Sequence, residues 1–193
     1  MTETLAENQR PQRADARRNR ERILEAARQV FAESGIDAQI DDVARRAGVG
    51  VGTVYRHFPT KEALMVELVR LKFQLFAAEA RGALERDGEP FELLAEALRA
   101  DARAVARDAG AQHVLAGAGE HIWAQVQAEK NELNALTAEL IARAQRAGTM
   151  RPDVRAADIG MLVCGVCATM AHEDPGFDWH RHLELGIDML RPR

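Results

Sequence analysis

Residues 40–58 leave the chain few ways to fold. Ile40, Val43, Ala44 and Ala47 recur at helical spacing and stop at Gly48. After Val49-Gly50 a further short unit sets Val54 and Phe58 four apart before Pro59 closes it. A glycine in such a connection lets two short helices meet at a steep angle. Upstream, Ile23, Ala27, Val30 and Phe31 mark a first helix that Ser34-Gly35 terminates. Three short helices sharing an apolar face are the expectation for residues 17–58. Composition extends the helical reading to the rest: 35 Ala and 18 Leu stand against 13 Val and 7 Ile. Strong helix formers dominate, and an all-β fold is excluded.

The net charge of -4 is unevenly spread. Residues 1–61 hold 11 Arg/Lys and 9 Asp/Glu, a balance of +2, and residues 62–193 hold 15 and 21, a balance of -6. A basic end on an acidic body suits a protein that offers that end to a polyanion. From charge alone, a solvated Arg-rich helix explains it as well. The longest uncharged apolar run, Ile159 to Ala171, has 13 residues and is too short to span a bilayer. The opening residues lack a secretory apolar core, and two cysteines make no disulfide framework. These features lead us to expect a cytoplasmic protein.

Turn and cap residues divide the remainder. Residues 1–16 are polar and read as a flexible arm. Thr60 can cap a long helix from Lys61 to near Arg86. Asp87-Gly88-Glu89-Pro90 turns the chain into a helix reaching about Ala109. Gly117 and Gly119 interrupt the stretch from Gln112 to Lys130, and Asn131 can cap a helix to Ala147. Another runs from Arg155 to His172. After Asp174-Pro175-Gly176, Asp178 can cap a last helix to about Leu190. The spacing predicts an all-α chain of about nine helices.

The unit ending at Phe58 has exposed positions of an unusual kind. Val54 and Phe58 face the core. Thr53, Tyr55, Arg56 and His57 face elsewhere, and all can donate hydrogen bonds to phosphate or to base edges. This is the layout of a helix-turn-helix, whose second helix lies in the major groove. Lys61 opens the next helix, where its charge and free backbone N–H groups could hold a phosphate. Gly48, Gly50 and Gly52 do not form a dinucleotide loop, because position 53 is Thr and no strand precedes them.

The run Ile40-Asp41-Asp42-Val43-Ala44-Arg45-Arg46-Ala47-Gly48-Val49-Gly50-Val51-Gly52-Thr53-Val54-Tyr55-Arg56-His57-Phe58-Pro59-Thr60-Lys61-Glu62-Ala63-Leu64 resembles the DNA-binding signature of the tetracycline-repressor (TetR) family. Arg20 to Ala27 and Phe31 to Gly35 resemble that family's first helix. The resemblance implies a helix-turn-helix DNA-binding domain over residues 17–60. It also implies a helical effector-binding and dimerisation domain over 61–193. Thr53, Tyr55 and Lys61 match phosphate contacts, and Val51, Arg56 and His57 match positions that meet bases or nearby phosphates. Arg17, Arg18, Arg20 and Arg45 join the expected DNA-binding set. The chain departs from the family's pattern at Gly50 and Val51, often polar there, and at Ala38-Gln39, where a threonine is usual.

Beyond residue 65 the signals are weaker. Gly160, Cys164 and Ala168 recur every four residues and offer a smooth stripe to another helix. With Ile159, Leu162, Val163 and Val166 they make that helix apolar almost all round, which calls for burial. Gly160, Val163, Cys164, Cys167, Ala168, Leu183 and Ile187 are the expected homodimer contacts, as the family resemblance implies. Cys164-x-x-Cys167 has redox or metal spacing, yet no second pair completes a zinc site, and buried cysteine packs as a small apolar residue. No metal or cofactor is expected. Phe73, Phe76, His113, His121 and Trp123 are candidates to line a small-molecule pocket. The reading is a ligand-responsive regulator, most simply a repressor released from a palindromic operator. A small helical enzyme and a protein-interaction adaptor are the alternatives, though no paired carboxylates or nucleophile-base spacing stand out.

Overall fold

A computed structural model describes residues 3–172, 174 and 176–192, with side chains from Ala14 onward. Within them the chain forms α1 (Glu3–Ser34), a 3-10 turn (Gly35–Asp37), α2 (Ile40–Ala47), α3 (Val51–His57), α4 (Lys61–Glu85) and α5 (Pro90–Ala106). These are followed by α6 (Ala109–Gly117), α7 (Glu120–Gln125), α8 (Gln127–Arg146), α9 (Ala156–Met170) and α10 (Trp179–Met189). The all-α class holds, with ten α-helices among the described residues rather than about nine.

Four helices begin at a side-chain cap. The Thr60 hydroxyl accepts from the Ala63 N–H at 3.1 Å, and Asp178 accepts from the His180 and Arg181 N–H groups. Glu89 caps α5 in front of Pro90, and Asp108 caps α6 through the Ala111 N–H at 2.9 Å. Two expectations shift. Residues 3–16 continue α1, although the sequence shows no apolar periodicity there and places Pro11 within it. Met1 and Thr2 lie outside the described residues, as does Pro175 of the turn before α10. Helix α8 starts at Gln127, four residues ahead of Asn131. The buried Val126 anchors the bend between α7 and α8, and the Asn131 amide oxygen accepts from Gln127 Nε2 instead of capping.

Burial separates two apolar clusters. One joins Ile23, Ala27, Val30 and Phe31 of α1 with Val43, Val54, Phe58 and the first half of α4. It also takes in Val114 of α6 and Ile122 and Val126 around α7. The other packs the second half of α4 with α5, α8, α9 and α10 around Phe91, Leu140 and Ile187. Helix α4 runs through both. Where α6 crosses α1, Gly110 lies so close that an added Cβ would stand 1.9 Å from the Arg28 carbonyl oxygen.

Candidate nucleic-acid interface

The reading unit is built from α2, its turn and α3. Helix α2 ends with Gly48 left-handed at φ +63°, where a side chain would be strained. The Gly48 N–H reaches the Arg45 carbonyl at 3.2 Å and the Val49 N–H reaches the Ala44 carbonyl at 3.1 Å, which closes a Schellman motif. From α1, Arg22 Nη2 donates to the Ala47 and Gly48 carbonyls, so a cation sits at the negative end of α2. Gly50 begins α3 without a side-chain cap. The angle between α2 and α3 is therefore held by backbone bonds, one arginine from outside the pair and the shared burial of Val43, Ala47 and Val54.

Only Val54 is buried within α3, and Phe58 is buried just beyond it. Val51, Gly52, Tyr55 and Arg56 are exposed, and Thr53 and His57 are half-buried at the edges of the same face. Arg56 has no ion-pair or hydrogen-bond partner among the described residues, so its guanidinium is available to a ligand. The other expected DNA contacts differ in their freedom. Arg17 and Arg18 are exposed on α1 and paired locally with Glu21 and Asp15. Arg45 is exposed and meets Asp42 at 2.9 Å. Lys61 donates to the Ile36 carbonyl, which draws its ammonium toward the 3-10 turn. Arg20 turns inward onto Glu67 and lies 5.5 Å from the Phe58 ring centre.

A cleft of about 410 Å³ opens where the N-termini of α2 and α4 converge beside α3. Tyr55, Lys61, Thr60 and Gln39 line it together with Asp41, so the Lys61 ammonium and the leading N–H groups of α2 face one carboxylate. Gln39 and Arg22 were not among the expected site residues. Gln39 occupies the position before α2 where the family's threonine is usual, and that position was the signal for it. Nothing in the sequence points to Arg22, because its role depends on α1 crossing the end of α2.

Comparison with known proteins decides the family. Residues 23–68 match the model for bacterial regulatory proteins of the tetR family, and residues 89–192 match the C-terminal domain of SbtR-like transcriptional regulators. The chain is 30% identical to the HTH-type transcriptional repressor KstR of Mycolicibacterium smegmatis over 178 residues, spanning 90% of this chain and 87% of that one. A TetR transcription regulatory protein from Mycobacterium vanbaalenii is 39% identical with a TM-score of 0.66, covering 94% of this chain and 100% of that one. The regulator SCO0520 from Streptomyces coelicolor is 31% identical with a TM-score of 0.64, covering 90% and 98%. The chain belongs to the TetR family.

Membership makes it a helix-turn-helix transcription regulator, in line with the first reading and not with the enzyme or adaptor alternatives. In this TetR-family chain the expected effector residues do not all meet. Phe73 and Trp123 pack edge-on at 6.2 Å, and Phe73 and Phe76 at 6.3 Å. His113 instead sits 3.0 Å from the Phe31 carbonyl of α1, and His121 is exposed. Beside the aromatic group, the buried Lys72 of α4 reaches Asp108 at 2.9 Å, a pair the sequence did not announce.

The α9–α10 pair also corrects the sequence reading. Leu183 and Ile187, expected between subunits, are 3% and 1% exposed and belong to the chain's own core. Helical period turns Leu185 and Met189 outward instead. Gly160, Cys164 and Ala168 are exposed, while Val163 and Cys167 are half-buried. Helix α9 is thus not buried all round, and Met161 beside this stripe is 66% exposed, as is Met189. Burial raises the Cys167 thiol to about 11, with the neighbouring Cys164 adding to the shift, which leaves it a poor thiolate. Among the described residues no helix is long and apolar enough to cross a membrane.

Proposed function

We propose that this regulator is a homodimeric repressor that reads a palindromic operator through α3 and leaves it when a small molecule binds among α4 to α8. The observation that carries the reading is the character of α3. It buries Val54 and presents Val51, Tyr55 and an unpaired Arg56 to solvent, beside a cleft that Tyr55, Thr60 and Lys61 share with Asp41. Tyr55, Thr53 and Lys61 hold the backbone, with Lys61 released from the Ile36 carbonyl as it does so. Arg56, His57 and Val51 meet base edges, Val51 through apolar contact with a thymine methyl. Arg17, Arg18 and Arg45 add long-range attraction, which makes affinity fall steeply with salt.

The uncovered apolar surface of α9 and α10 supports pairing with a second copy. A dimer sets two recognition helices about 34–36 Å apart, one DNA turn. The edge-on group Phe73, Phe76 and Trp123 is the wall we assign to the effector. An effector lowers operator affinity only by its preference for the conformer with the wrong spacing. The test is fluorescence anisotropy on the duplex that the protein selects from a random-sequence library. Tyr55→Phe should weaken binding about fivefold on every sequence, the worth of one hydrogen bond. Arg56→Ala should change which base is preferred at one position in each half-site. Full affinity in Tyr55→Phe together with unchanged preference in Arg56→Ala would sink the assignment.

A further inference from the structure

Among the described residues most ion pairs join exposed side chains, and many lie within a single helix, but one set crosses four helices. Arg20 of α1 pairs with Glu67 of α4, whose other oxygen takes Arg70 Nη1 at 2.8 Å. Arg70 Nε then meets Glu129 of α8 at 2.8 Å, and its Nη2 donates to the carbonyl of Gln125, the last residue of α7, at 3.2 Å. Charges alternate along the chain, and each inner member serves two partners. Both carboxylates are shielded, with Glu67 14% and Glu129 17% exposed, so salt screens them less than surface pairs. Burial works to raise the Glu67 carboxyl, and the hydrogen bonds from Arg20 and Arg70 outweigh it and hold it below the ordinary glutamate range. At one end the Arg20 guanidinium lies over Phe58, the cap of α3. At the other, Arg70 grips the end of the short helix that carries Trp123.

We propose that Glu67, Arg70 and Glu129 are positioning residues for DNA reading. The set Arg20–Glu67–Arg70–Glu129 fixes the recognition helix against α4 according to where α7 and α8 stand. Loss of Glu129 frees Arg70 to turn wholly onto Glu67, Glu67 holds Arg20 less firmly, and Phe58 loses the cation that lies over it. The proposal rests on the DNA-binding reading above, so its test has one readout on DNA and one without.

Glu129→Gln should bind the selected duplex about 5–10-fold more weakly, a coupling of ordinary size. Its amides at Val54 to Phe58 should exchange with solvent faster in the absence of DNA. Glu139→Gln, which removes the exposed pair with Arg143 on the same helix, should change neither. Glu129→Asp, which keeps the charge on a shorter arm, should fall between and serves if the glutamine variant folds poorly. Combining Arg20→Gln with Glu129→Gln should cost no more affinity than the worse single change, because both break one chain. Unaltered affinity and exchange in Glu129→Gln, or effects that multiply fully in the double variant, overturn the relay. If the unaltered protein selects no duplex, the DNA reading fails, and α3 exchange still decides whether the relay reaches that helix.

Discussion

Titratable side chains sit in and beside the core, among them the half-buried Asp101 and the buried Lys72. Burial and the neighbouring Glu79 carboxylate push the Asp101 carboxyl up to about 8, against the pull of Lys72. Its unfolded value is near 3.8, so the folded chain keeps a proton that the unfolded chain releases. That contribution to stability is full below pH 4 and is lost as pH rises through about 8. Asp101→Asn should therefore raise the melting midpoint by about 2–4 °C at pH 8 and hardly change it at pH 4, as read by circular dichroism. Lys72 and Asp108 were invisible in the sequence for a plain reason. A lysine on a long amphipathic helix reads as a solvated charge until α6 folds its capping aspartate over it. Arg56 stood out because no neighbour in the sequence is placed to pair with it, and among the described residues it has no partner. Arg20, expected on DNA, is paired with Glu67, and the sequence could not announce that because Glu67 lies 47 residues further along the chain.

At the level of elements, legibility followed local chemistry. Thr60 and Asp178 announce their helices because a cap is a bond between near neighbours. The start of α8 escaped, because Val126 works through burial among distant residues rather than through a capping group. The crossing of α1 and α6 was equally silent, since an interior glycine names no partner. Gly110→Ala should force the two helices apart and cost about 1–3 kcal/mol, seen as a lowered denaturation midpoint. Gly50→Ala, where nothing lies within 4 Å and φ is ordinary, should change stability far less. The contrast separates a glycine needed for close approach from one that merely precedes a helix.

At the scale of the whole molecule, the outer face of α9 and α10 leaves Met161, Leu185 and Met189 in water. Met161→Glu should yield a monomer in sedimentation velocity and lower operator affinity about 100-fold or more, because linked half-sites reinforce each other. If instead it sediments as the unaltered protein does, the face we assign to pairing is the wrong one. The division at residue 60 is the expectation drawn from the family's pattern, and the apolar packing runs across it. Val114, Ile122 and Val126, at 0%, 2% and 0% exposure, complete the cluster that holds α1 to α3. A fragment ending after α4 would leave that cluster open on one side. Modular exchange is constrained accordingly. A chimera that borrows another regulator's sensor must bring in matching apolar residues at these three places, or it will inherit a DNA-reading head with its floor removed.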